Sequence, residues 1–64
     1  MIIQTKYNYE KIWTDTNEKD ILRIICEEIG DVDTKGTFDY IKEVCKKGKV
    51  ISVGDCKFRA KEIG

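Results

Sequence analysis

The sequence predicts a small α+β domain of order β-α-α-β-β: a three-stranded, largely antiparallel sheet with two helices on one face. Three observations carry this. Residues alternate with period two from Ile2 to about Ile12. Two later stretches place apolar residues three and four apart, one closing at Gly30 and the other at Gly48. Two β-rich runs, Val50–Val53 and Cys56–Ala60, flank the dipeptide Gly54-Asp55.

In the first strand Ile3, Thr5, Tyr7 and Tyr9 fall on one side and Gln4, Lys6, Asn8 and Glu10 on the other, which gives it one wet face. The alternation breaks around Trp13. Asp15 with Glu18 three residues on then reads as a capping box for a helix starting near Thr16 and ending at Gly30. Its apolar stripe is Ile21, Leu22, Ile25, Cys26 and Ile29, with Ile24 at the margin. Asp31 to Gly36 reads as a polar turn. The second helix carries Phe38, Ile41, Val44 and Cys45, flanked by Tyr40; Gly48 is its C′ residue, and Lys46 and Lys47 suit the negative end of its dipole. The two helices should run for about fourteen and twelve residues, and the pairing of the first strand is left open.

Glycine followed by aspartate suits a two-residue type II′ turn, because glycine accepts the positive φ of the first central position. That turn sets Val53 opposite Cys56, Ile51 opposite Phe58 and Lys49 opposite Ala60. Ile51, Val53, Cys56, Phe58 and Ala60 then share one face. Ser52, Lys57, Arg59 and Lys61 share the other, which is mostly cationic, with Val50 its apolar exception.

Sixty-four residues make one domain, 1–64, near the lower size limit for a core without disulfides, metal or oligomerisation. A marginal monomer or a small homodimer is expected, since a three-stranded sheet has edges that can pair across a two-fold. With 41% hydrophobic and 38% charged residues and no proline, the chain reads as globular rather than disordered. No apolar run approaches about 18 residues, so no membrane span is expected, and the opening residues Met1 to Lys6 lack the pattern of a signal peptide. A cytoplasmic location is the expectation. Net charge is zero, but residues 1 to 33 hold four Lys/Arg against eight Asp/Glu and residues 34 to 64 hold eight against four. A neutral whole weakens the case for nonspecific nucleic-acid binding.

Motifs that carry chemistry are scarce. Cys26, Cys45 and Cys56 form no Cys-x-x-Cys pair and fall on the apolar sides of their elements, which reads as buried reduced thiols. No histidine is present to complete a zinc site or to act as a base for a nucleophile. Asp31 to Gly36 begins like a calcium loop but places Lys35 and Lys42 where oxygen ligands are needed, so Asp31 and Asp33 read as turn and cap residues. Glu27 and Glu28 point roughly 100° apart and make no carboxylate dyad. Lys46-Lys47-Gly48-Lys49 lacks the spacing of a phosphate loop and lies at the wrong helix end for one. No catalytic set, cofactor or metal is implied, and an enzyme is not expected. Trp13, outside both stripes, reads as a cover over the end of the core, with an interface anchor as the alternative.

Two resemblances bear on binding. From Thr16 to Ile63 the order of two helices and a hairpin loosely resembles a winged-helix or small intron-endonuclease DNA-binding module. On that resemblance Lys57, Arg59 and Lys61 on the wing, with Lys35, Lys42, Lys46, Lys47 and Lys49, would contact phosphates. Asp39 and Glu43 on the exposed side of the second helix oppose it, as does the long turn between the helices. Short length, no catalytic set, a polar sheet face and segregated charge resemble the small accessory proteins of phages and mobile elements, including anti-CRISPR proteins. That resemblance is one of chain style and implies a non-catalytic module that binds and inhibits a host protein or nucleoprotein complex. The residues expected to meet the partner are Lys57, Arg59, Lys61 and Lys49 on the cationic side, or Glu27 and Glu28 with Glu18 and Asp20 on the acidic first helix.

Overall fold

The computed structural model describes residues 2–30 and 33–61. The chain forms β1 (Ile3–Tyr7), β2 (Thr14–Thr16), α1 (Glu18–Ile29), α2 (Thr34–Lys46), β3 (Ile51–Val53) and β4 (Cys56–Ala60). The sheet has four strands, not three, in the order β2-β1-β4-β3, and every neighbouring pair is antiparallel.

The extra strand comes from the N-terminal segment, expected as one long strand to about Ile12. It stops at Tyr7 because the chain reverses there: the Tyr7 N–H donates to the Glu10 carboxylate at 2.9 Å, and the Glu10 N–H donates to the Tyr7 carbonyl at 2.9 Å. It returns as β2, pairing Thr14 with Thr5 and Thr16 with Ile3. Thr5, buried on the helix-facing side, meets Thr16 through a 2.7 Å hydroxyl contact, which satisfies its polar group.

Occupation of residues 14–16 by a strand moves the start of the first helix. Its N-cap is Asn17, not Asp15: the Asn17 side-chain oxygen accepts from the Asp20 N–H at 2.8 Å. The buried stripe of α1 is also rotated from the expected one. Ile21, Ile24 and Ile25 are buried, whereas Cys26 and Ile29 are exposed. Residues 21, 24, 25 and 28 form one stripe at helical spacing, and Glu28 on it reaches the hairpin turn, where its carboxylate accepts from the Asp55 N–H at 2.7 Å.

The second helix and the hairpin follow the sequence closely. Phe38, Ile41 and Cys45 are buried, Asp33 caps α2 by accepting from the Gly36 N–H at 3.0 Å, and Asp31 lies outside the described residues. After the C-cap at Lys47, Gly48 has φ +79° and donates to the Cys45 carbonyl at 2.9 Å, which makes it the expected C′ residue. Gly54 has φ +59°, Val53 pairs with Cys56 and Ile51 with Phe58. The expected Lys49–Ala60 pair is not made by the ladder, which stops at Ile51–Phe58.

Ile3, Val53, Cys56 and Phe58 of the sheet meet Ile21, Ile24, Ile25, Phe38, Ile41 and Cys45 of the helices in one core. Because β4 pairs with β1 as well as β3, the β3–β4 hairpin is an integral part of the sheet. No helix among the described residues is long and apolar enough to cross a membrane.

Candidate interaction face

With both helices on one side, the alternate residues of the strands face the other way, and no described element covers them. Strand register arranges this outer face in rows. One row runs Asp15, Gln4, Arg59 across β2, β1 and β4; the next runs Lys6, Lys57, Ser52 across β1, β4 and β3. Trp13 directly precedes β2, one step beyond the Thr5–Thr14 pair, which puts it beside Lys6.

Trp13 is not a cover over the core. Its ring lies 4.2 Å from the Arg59 guanidinium carbon and 5.5 Å from Lys6 Nζ, so the indole carries two cations on the outer face. Arg59 is fixed a second time, since its Nε donates to Gln4 Oε1 at 3.0 Å. Gln4 Nε2 in turn donates to Asp15 Oδ1 at 2.9 Å, and Lys61 Nζ lies 3.3 Å from Asp15 Oδ2. This assigns the Gln4 amide without ambiguity, because arginine can only donate and an ionised carboxylate can only accept. The hydrogen bond from Gln4, and then that from Lys61, hold the Asp15 carboxyl below its ordinary 3.8.

Lys6 and Lys57 sit directly opposite each other across β1 and β4, and among the described residues neither makes an ion pair. Like charges at facing positions of an antiparallel pair destabilise a sheet. The face thus combines a clamped tryptophan, an immobilised arginine and two adjacent unneutralised lysines.

The expected site residues separate into three groups. Lys57 and Arg59 lie on this outer face, with Lys61 at its margin beside Asp15. Lys49 lies at the sheet's edge in the α2–β3 connection, its N–H donating to the Val44 carbonyl at 3.3 Å. Glu27 and Glu28 belong to α1 in the helix layer, away from the lysines of the outer face; Glu27 is exposed, and Glu28 is occupied as the acceptor for the hairpin turn. Glu18 and Asp20 lie at the start of α1, where Asp20 pairs with Arg23 at 3.6 Å. Sequence reasoning missed Trp13, Gln4, Lys6 and Asp15 as members of one surface. Gln4 and Lys6 were visible as the wet side of β1, but their neighbours depend on strand order.

The cysteines carry no chemistry on this face. Burial pushes the Cys45 thiol up, and burial, with the nearby Glu28 and Glu10 carboxylates, pushes Cys56 up to about 11. Cys26 is exposed, contrary to the expectation that all three would be buried. Comparison with known proteins finds no family model, no curated protein and no solved structure that this chain matches.

Proposed function

We propose that this chain is a non-catalytic binding module whose uncovered sheet face docks an acidic surface of a protein, free or within a nucleoprotein complex. The observation that carries the reading is the Lys6–Lys57 cross-strand pair on that face. Two facing ammonium groups oppose the fold, and an incoming carboxylate cluster converts that repulsion into attraction. Trp13 and Arg59, held together in advance, supply the residue types that dominate interface energetics at little cost in side-chain entropy. Inhibition of the bound host protein or nucleoprotein complex, acting in the cytoplasm, belongs to the same proposal and rests on the resemblance to anti-CRISPR proteins. Direct binding of nucleic acid is the competing outcome of the test.

The test is affinity capture from bacterial lysate with and without nuclease, using wild-type protein, the Lys57→Ala/Arg59→Ala/Lys61→Ala variant and a Lys6→Glu/Lys57→Glu variant. The charge-reversed pair leaves the Trp13–Arg59 contact and the Asp15 network in place but removes the Lys6 contact with the indole, so circular dichroism of both variants checks the fold before capture. The reading expects one protein to survive nuclease with wild type and to be lost with both variants. Retention of that protein by the charge-reversed variant, or recovery of nucleic acid with all proteins released by nuclease, would overturn it.

A further inference from the structure

The β3–β4 ladder ends at Ile51–Phe58, so among the described residues the last part of β4, Arg59 and Ala60, has a strand on the β1 side only. The direction of the free edge follows from one hydrogen bond. The Lys61 N–H donates to the Ile2 carbonyl at 2.7 Å, so residue 61 turns its main-chain groups towards β1. Main-chain groups alternate sides along an antiparallel strand, and those of Ala60 therefore point away from β1, into the space that β3 leaves vacant. The chain that would have filled that space turns aside instead, with the Lys49 N–H directed to the Val44 carbonyl at the end of α2.

A groove of about 660 Å³ opens there, between the α2–β3 connection and the end of β4. Lys46, Lys49, Arg59 and Lys61 line it, Val50 and Ala60 give it apolar wall, and among the described residues no carboxylate contributes to its lining. Four cations, a short apolar wall and an unpaired strand edge together fit one kind of occupant. We infer that this groove receives an extended, acidic peptide segment of the partner, which adds to the sheet beside Ala60 and places its carboxylates among Lys46, Lys49 and Arg59. The main-chain edge supplies the pairing of strand addition, and the lysines select the charge. A free phosphate or a phosphodiester backbone would satisfy the cations but leave the strand edge unused.

The inference deepens the proposed function and rests on its claim that the partner is an acidic protein. It is tested by adding the capped peptide Glu-Val-Glu-Val-Glu to the uniformly ¹⁵N-labelled full chain and following amide shifts. The same titration is made with Gln-Val-Gln-Val-Gln, with a short single-stranded oligonucleotide, and with a Lys46→Glu/Lys49→Glu variant. Both substituted lysines are exposed and outside the core, and the variant's own amide spectrum checks that its fold is retained. Saturable shifts at Lys49, Val50, Ala60 and Lys61 are expected with the glutamate peptide. They should weaken roughly tenfold or more in the variant and with the glutamine peptide.

Shifts confined to Lys6, Lys57 and their neighbours would overturn the groove while leaving the outer face as the docking surface. An absence of shifts, or an equal response to the glutamine peptide, would overturn it also. An oligonucleotide moving the same amides at lower concentration than the peptide would count against both the groove's peptide and the proposed protein partner.

Discussion

Glu28 reads from the sequence as a surface carboxylate available to a partner, whereas the fold assigns it to the hairpin turn. Its Oε1 accepts from the Asp55 N–H at 2.7 Å, the only recognised link from α1 to that turn made through a side chain among the described residues. A hydrogen bond to a charged acceptor contributes about 1.5–3 kcal/mol when shielded. This one is solvent-accessible, so water replaces part of it and about 1 kcal/mol is the expected loss for Glu28→Ala. In a domain of this size that lowers the melting temperature by about 4–8 °C. Glu28→Gln keeps a neutral acceptor in place and should lose less. Thermal unfolding followed by circular dichroism reads both shifts. A melting temperature unchanged in Glu28→Ala, or a Gln variant as destabilised as the Ala variant, would refute the assignment of this carboxylate to the turn.

Four further outcomes are expected. Phe58 is fully buried at the centre of β4, and Phe58→Ala should remove about 3–5 kcal/mol. Against the roughly 3–10 kcal/mol typical of a chain this long, that removes about a third or more of the stability and should appear as a large fall in the urea midpoint. Thiol labelling of the native protein should modify Cys26 rapidly and leave Cys45 and Cys56 unmodified until denaturant is added. Because the Cys56 pKa is raised from 9.0 to about 11, its contribution to stability is fully present below pH 9.0 and is lost as pH rises to about 11. Asp15, whose pKa is lowered, behaves in the opposite sense: its contribution holds above 3.8 and fades as pH falls through the lower folded value. Carboxyl-detected NMR titration should show the Asp15 pKa rising towards 3.8 in Gln4→Ala, and by less in Lys61→Ala.

The parts of this fold that were legible in the sequence are those fixed by local chemistry. Gly54-Asp55 set the turn and through it the Ile51–Phe58 and Val53–Cys56 register, and Gly48 ended α2 where its positive φ was needed. What the sequence hid depends on contacts between distant residues. The turn at Tyr7–Glu10 is closed by a glutamate side chain, with neither glycine nor proline to announce it. The rotation of α1 reflects two rival apolar stripes in its sequence, Ile21-Ile24-Ile25 and Leu22-Cys26-Ile29, of which packing buries the first. The outer face was half visible, as the cationic side of β4 and the wet side of β1. Its assembly required the β1–β4 pairing, which brings residues 4 and 6 against residues 59 and 57. Trp13 belongs to that face for the same reason, since β2 pairs with β1 and delivers the indole to Lys6 and Arg59.

Trp13 is the sole tryptophan of the chain and stands on the proposed docking face, so its fluorescence reports docking directly. The decisive measurement is a titration of the chain with its captured partner, monitored by selective excitation of the indole where the partner's own signal is subtracted or absent. The account predicts a saturable change in Trp13 emission that follows the binding isotherm from calorimetry and disappears in the Lys6→Glu/Lys57→Glu variant. Binding that calorimetry detects in full while Trp13 emission stays constant would contradict it, because the partner would then be seated elsewhere on the molecule.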